Sequence, residues 1–388
     1  MPPVFPVRWA GRTVAAEEGK GEASRSNGIN VPKWKFDQPL KGRRLLMDKV
    51  TTIAVDIAKR SFGMYWVDVQ TGEIGARAMT RAKFEEFMRT RERCRVVLEA
   101  GGSAHYWGRW LQQQGHEVRL IAAQHVRPFV RTNKTDGADA RAIWEAAQRP
   151  EVNWVAVKSE ASQAVLGLHR IRRQLMDMRR MQSNQLKALL YEFGVVVPAL
   201  TKITAAQLQD WVVAGRVPEL VQASLREQIE RIARLKREEV ELTRAIERHN
   251  ESDALAIELM AVPGIGPLSA SALSAELAAG AKSFANGRQY AACKGIAPRL
   301  SGTGGKVRPG PISKRGDPYV RTLLIHGARS VIAHQRRAKR LSPWLSALLE
   351  RRPLNVAVVA LANKMARTAW ALAAHGRSYQ QNYGAQAA

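Results

Sequence analysis

Cysteine is almost absent: the 388-residue chain has Cys94 and Cys293, far apart in sequence. That excludes a disulfide framework and a cysteine-built zinc cluster. Long apolar runs are missing too. The most apolar stretch, 354–374, is broken by Lys364 and Arg367, short of the roughly 18 uninterrupted apolar residues of a membrane span. No charged-then-apolar leader with a cleavage site opens the chain, so a cytoplasmic protein is expected. Acids are the third scarcity, 34 against 61 Lys and Arg, for a net charge of +27. With 45% hydrophobic residues this excess belongs to a folded protein and not to a basic tail. It predicts a polyanionic partner, nucleic acid ahead of an anionic membrane surface.

The length suits two or three domains. Residues 1–48 scatter Pro, Gly, Ser and Lys without period and read as a disordered extension. Met47 stands just before the first strand-like run, which makes it a candidate start. Across 49–150, strand-like and helical patterns alternate: a hairpin first, from Thr51–Val55 and Phe62–Val69, then strands at Arg95–Leu98 and Glu117–Ala122 between helices. This predicts an α/β domain with a mixed sheet and an RNase H-like element order. Residues 160–250 are helical. Leu168, Ile171, Leu175, Met178, Leu189 and Phe193 form one stripe, and Leu225, Ile229, Ile232, Leu235, Leu242 and Ile246 another. An antiparallel coiled-coil hairpin is expected, with Gln182 and Glu239 interrupting its seams. From 255 to 375 short helices, Gly-rich turns and a long basic loop at 296–317 read as a helical C-terminal domain, with 376–388 a frayed tail.

The charge is unevenly spread. Residues 282–352 carry 16 Lys and Arg against Asp317 and Glu350 alone, over half of the net excess. Arg299, Lys306, Arg308, Lys314, Arg315 and Arg321 stand there among glycines that let backbone approach a phosphate, and together they are candidate nucleic-acid contacts.

Against this background the isolated acids stand out. Asp56 ends the strand in Ile53-Ala-Val-Asp56, and Glu99 ends Val96-Val-Leu-Glu99. Asp136 and Asp139 lie three apart at a helix start, hence on one face. An N-cap and a helix-dipole contact would account for the last two alone, whereas an acid directly after a buried strand needs a partner. Four converging carboxylates would repel unless divalent cations bridged them. Hard oxygen ligands suit Mg2+, and two such ions can clamp a phosphodiester in displacement.

Two C-terminal segments complete the set. Val262-Pro-Gly-Ile-Gly266 opens a helix, as a helix-hairpin-helix turn does when its backbone N–H groups meet a phosphate, or as a plain helix corner does. The segment Gly295 to Arg308 presents Ser301 and Thr303 on a cationic, His-free stretch. Those hydroxyls can hydrogen-bond phosphate, or one can attack phosphorus.

Ile-Ala-Val-Asp56-Ile-Ala-Lys, Leu-Glu99-Ala-Gly and Asn-Lys-Thr-Asp136-Gly-Ala-Asp139-Ala-Arg, followed by Val-Pro-Gly-Ile-Gly and Ser301-Gly-Thr-Gly-Gly-Lys, resemble the DEDD insertion-sequence transposases over about residues 50–375. That family includes bridge-RNA-guided recombinases and Piv-type invertases. The resemblance implies a RuvC-like N-terminal domain in which Asp56, Glu99, Asp136 and Asp139 hold Mg2+. It implies a C-terminal serine nucleophile that links transiently to DNA, and a coiled coil that assembles a dimer or tetramer so that one subunit's serine meets another's carboxylates. Donor and target DNA would pair with a noncoding guide RNA from the element. Relatives often carry two adjacent serines before Gly-Gly-Lys. Anchoring on Ser-Gly selects Ser301 and counting back from Gly304 selects Thr303; the less hindered primary hydroxyl favours Ser301. A metal-dependent junction resolvase or site-specific invertase is the alternative enzyme, and a non-catalytic nucleic-acid scaffold the alternative of another class.

Overall fold

The computed structural model describes residues 51–130, 136–150, 152–198, 203–303 and 306–380, with the side chains of Asp136 and Gly137 left out. The extension at 1–48 and the end of the tail from 381 lie outside the described residues.

Three apolar runs make the sheet core. β1 (Thr52–Ile57), β4 (Arg95–Glu99) and β5 (Glu117–Ile121) run parallel, in the order β1-β4-β5. β2 (Ser61–Val67) pairs antiparallel with β1, and β3 (Ile74–Thr80) antiparallel with β2. The two-residue β6 (Trp154–Val155) closes the other edge antiparallel to β5. The resulting mixed sheet has the order β3-β2-β1-β4-β5-β6.

Alternation along the strands divides the side chains between two cores. Ile53, Val55, Val96 and Leu98 pack on one face beneath α1 (Arg81–Thr90) and α2 (Ala104–Gln113). Ala54, Val97 and Ile121 pack on the other, beneath α4 (Asp136–Ala147) and next to the short α3 (Ala123–Val126). β3 was not expected from the sequence. Its residues are mostly exposed, so pairing with β2 holds it and an apolar pattern does not.

Two long helices follow, α5 (Glu160–Glu192) and α7 (Glu219–Asn250), with α6 (Ala205–Val213) between them at the tip. They run antiparallel: Arg172 Nε donates to Thr243 Oγ1 at 2.7 Å, Arg179 Nε to Glu239 Oε2 at 3.0 Å, and Gln228 Nε2 to the Gln182 carbonyl at 3.1 Å. On α7 the buried residues include Leu225, Ile229, Leu235 and Ile246, as the periodicity predicts. On α5 the seam is displaced. Ile171 and Met178 are exposed, while Val165, His169, Leu186 and Leu190 are buried. The middle of the seam is ionic, and this accounts for the interruption at Glu239. Its buried carboxylate takes Arg172, Arg179 and Lys236 together.

The C-terminal region is a helical layer. α8 (Ala254–Met260) and α9 (Pro267–Gly280) flank the Pro-Gly-x-Gly turn, and α10 (Gly287–Cys293) leads into the basic segment. That segment is no loop but a hairpin, β7 (Pro298–Thr303) against β8 (Lys306–Ile312). α11 (Pro318–Arg337), α12 (Pro343–Arg351) and α13 (Leu354–His375) complete the layer. Its core includes Leu273, Tyr290, Leu324, Ala362 and Ala366, and among the described residues no helix is long and apolar enough to cross a membrane.

Candidate active site

Parallel register sets the first two acids side by side. Val55 pairs with Leu98, so Asp56 and Glu99 are level at the C-terminal ends of adjacent strands. Asp56 follows the parity of Ala54 and Glu99 that of Val97, which puts both on the face covered by α4. Asp139 precedes the buried Ala142 and Ile143 by three and four residues, so it shares the helix stripe that packs on that sheet face. Asp139 and the two strand-end acids are half-buried. α4 begins at Asp136, whose side chain lies outside the described atoms.

The donor chemistry, all carboxylate oxygen on one face, fits a hard divalent ion. Among the described residues no three His, Cys, Asp or Glu side chains gather closely enough to hold one, so an ion there would also draw on Asp136 or on substrate oxygens.

The second component is the hairpin. All six residues of β7 are exposed, as are Lys306 to Pro311 of β8. Ser301 pairs with Arg308, and its Oγ lies 3.5 Å from the Arg308 carbonyl, to which it donates. Thr303 pairs with Lys306. Arg299 donates to the Ser313 carbonyl at 3.2 Å, while Lys306, Arg308, Lys314 and Arg315 are exposed. The ribbon therefore presents a primary hydroxyl among cations.

Its base is fixed by two glycines. Gly295 (φ +71°) and Gly316 (φ +80°) meet where the chain enters and leaves the hairpin. A Cβ on Gly295 would stand 2.1 Å from the Arg315 carbonyl oxygen, and one on Gly316 1.9 Å from that of Cys293. Only glycine allows these backbones to touch. Arg321 closes the clasp by donating to the carbonyls of Lys294 and Arg315, each at 3.2 Å. Its guanidinium thus shapes the site from within.

Beneath the clasp lies a cluster that sequence reasoning missed. Lys294 is 3% exposed and ion-paired with Glu276, which also accepts from Tyr290 Oη at 3.1 Å. Burial opposes the charge on Lys294, but the Glu276 carboxylate, together with Cys293 and Asp317, outweighs it and raises the pKa. Burial and the same carboxylate push Tyr290 well above its ordinary value. The signal was present in the sequence: Glu276 is the one charged residue in α9, and a lone acid on an apolar helix needs a partner.

Family models match both halves of this arrangement. A DEDD transposase domain covers residues 53–194, and a transposase domain of the IS116/IS110/IS902 family covers residues 256–342. A probable family 20 transposase of Pseudomonas aeruginosa is 44% identical, across 85% of this chain and 99% of its own length. The chain belongs to the IS116/IS110/IS902 transposase family. The transposase of insertion sequence element IS1328 from Yersinia enterocolitica is 34% identical, over 86% of this chain and all of its own. That of IS1111A from Coxiella burnetii is likewise 34% identical, over 88% and 94%.

The protein is thus a DNA transposase, and the reading as a non-catalytic scaffold falls away. DEDD domains of this kind usually bind divalent metal ions, which agrees with the carboxylate face.

Proposed function

We propose that this transposase excises and inserts its element through a covalent phosphoserine link, with an element-encoded RNA guiding the choice of DNA. The observation that carries the reading is the pairing of two unlike sites. Asp56, Glu99 and Asp139 share a sheet face, and Ser301 stands exposed on a cationic ribbon.

In the proposed step Ser301 Oγ gives up its proton and attacks phosphorus. A bond from phosphorus to Oγ forms as one P–O bond of the DNA backbone breaks, and the proton lost by Oγ is balanced by the one that the released DNA hydroxyl takes up. Attack by a hydroxyl of a different strand reverses the exchange, so bond energy is conserved and no external energy source is needed. Asp56, Glu99, Asp136 and Asp139 would hold Mg2+, which when bound supplies neutralisation of the charge on the phosphate oxygens. Arg299, Lys306, Arg308, Lys314 and Arg315 bind backbone phosphate along the ribbon, and Arg321 fixes its base.

The regions work as a RuvC-like domain (49–150), an assembly hairpin (160–250) and a serine-bearing domain (255–375). Exposed Ile171, Met178 and Met181 on α5, spaced by seven and three residues, support a homo-oligomer, dimer or tetramer; a protein that recombines DNA would act at the nucleoid, in the cytoplasm. Donor and target DNA and the guide RNA share the +27 surface.

Trapping in denaturant tests the link. The wild type yields a protease-sensitive protein–DNA adduct and Ser301→Ala yields none; adducts in Ser301→Ala remove Ser301 from the role. Full recombination by Asp56→Ala removes the metal site. Sequencing of co-purified RNA tests guidance, and RNA that does not map beside the element's gene refutes it. One observation favours a second reading, a metal-dependent resolvase or invertase: the Ser301 hydroxyl donates to a backbone carbonyl, and among the described residues no side chain accepts its proton. Water activated at the carboxylates would then cleave without any adduct.

A further inference from the structure

A cavity of about 1000 Å3 opens among α10, α11, α12 and α13, beside Val262 and Pro263 of the Pro-Gly-x-Gly turn. Nothing in the strand-exchange reading uses it. Its volume lies in the range of sites for ring-bearing ligands.

The lining has one sign of charge. Arg288, Lys364, Arg367 and Arg377 contribute to it, and among the described residues no Asp or Glu does. A wall of one sign in a concave site concentrates the opposite charge. The lining also has aromatic plates. Trp344 is 41% exposed, with Lys364 Nζ 5.0 Å from its ring centroid, and Trp370 spends its indole N–H on the Ala281 carbonyl at 2.9 Å, leaving its ring as wall. The third feature is a polar atom with no partner. Gln335 lines the cavity, and its Oε1 is buried without a hydrogen bond among the described residues. A buried acceptor left unpaired destabilises the fold, so a donor that completes it would bind with that gain.

Cations, an aromatic plate and an unpartnered acceptor correspond to the three parts of a nucleotide: phosphate, base face and the N–H edge of the base. We propose that this cavity holds one unstacked nucleotide of a nucleic-acid strand. The base stacks at Trp344 and donates an N–H to Gln335 Oε1, and the phosphate lies against Arg288, Lys364 and Arg367. An unstacked base on an aromatic side chain is a sequence-tolerant contact. The proposal rests on the protein's being a transposase that handles DNA, and not on Ser301 or the carboxylates.

Calorimetry on the full-length Ser301→Ala protein separates the parts, since the exchange chemistry is then silent. The probes are adenosine 5′-monophosphate and, for the phosphate alone, ribose 5-phosphate. The nucleotide is expected to bind more tightly than the sugar phosphate. Trp344→Ala, at an exposed position that the fold tolerates, lowers nucleotide affinity roughly tenfold and leaves ribose 5-phosphate unchanged. Lys364→Gln weakens both probes. Gln335→Met weakens the nucleotide while raising the melting temperature of the free protein, an opposition that a merely structural glutamine would not produce. Equal affinity for the two probes, no nucleotide binding, or binding indifferent to all three substitutions overturns the proposal.

Discussion

Gly316→Ala tests the clasp that aims the hairpin. The perturbation adds one methyl group at φ +80°, with its carbon 1.9 Å from the Cys293 carbonyl oxygen and 3.1 Å from the carbonyl carbon. Both neighbours are backbone, so no side chain can swing away. An L-residue in the left-handed region costs about 1–2 kcal/mol, and overpacking a close contact about 1–3 kcal/mol more. Restoring ordinary contact requires the two strands of chain to separate by about 1.5 Å, the gap between 1.9 Å and the 3.4 Å of normal van der Waals approach.

Gly310→Ala is the matched control on the same ribbon. Its added carbon would meet nothing nearer than the Arg299 carbonyl at 3.5 Å, and its φ lies outside the left-handed region. Such a change alters stability by less than about 1 kcal/mol and favours the folded state. The assays are a thermal melt and adduct formation on element-end DNA. Gly316→Ala melts roughly 5–10 °C lower, from about 2–4 °C per kcal/mol for a chain of some 200 residues and less for a longer one. Its adduct rate falls about a hundredfold for a displacement beyond 1 Å. A Gly316→Ala protein that matches Gly310→Ala in both assays refutes the clasp.

Glu239→Gln strips the charge that three cations share; Arg172 is only 12% exposed, so the loss approaches the 3 kcal/mol or more of a broken buried pair. Urea midpoints measure it, with Glu239→Leu combined with Arg172→Met expected to recover much of the loss; a cost under about 0.5 kcal/mol for Glu239→Gln alone means that the network is idle. His169, 2% exposed between Tyr319 Oη and Ser271 Oγ, is driven down to about 4 by burial and then by Arg172. The unfolded chain therefore binds the proton first as pH falls. The stability is full above pH 6.5, wanes between 6.5 and 4, and is about 2 kcal/mol lower at pH 5. His169→Gln flattens that window in denaturant titrations, and an unchanged slope in the variant assigns the loss to other groups.

Much of the sheet and most of the carboxylate face could be read from the sequence because burial announces them. β1, β4 and β5 are short apolar runs, and parity places Asp56 and Glu99 on the face of Ala54 and Val97. β3 could not be read in this way. Ile-Gly-Ala-Arg-Ala-Met-Thr has no apolar period, and Gly75 lies against the Trp66 ring, so the neighbouring strand determines the element. The hairpin failed for a different reason. Pro298, Pro309 and Pro311 with Gly302 and Gly310 are loop composition, yet a two-stranded ribbon has outer edges where proline forfeits no ladder bond. The displaced seam of α5 shows a third limit. Arg172 and Arg179 reach Glu239 across 67 and 60 residues, and helical spacing within one segment carries no trace of that partner.

The placement of Ser301 leads to the last prediction. Its hydroxyl has the Arg308 carbonyl beside it at 3.5 Å, a poor acceptor for the proton of a nucleophile. The carboxylates sit on the other component, at the ends of β1 and β4. If serine and carboxylates meet across a two-fold assembly, each reacting centre takes Ser301 from one subunit and Asp56 from its partner. Ser301→Ala and Asp56→Ala proteins, each inert alone, then complement when co-assembled. A mixed dimer regains one intact centre and doubles the damage in the other. Random mixing makes half of the dimers mixed, so about a quarter of wild-type adduct returns. If both groups act within one subunit, every centre in the mixture lacks one of them. Adduct at background level in a verified mixed dimer would therefore rule out the crossed arrangement and leave the chemistry within a single chain.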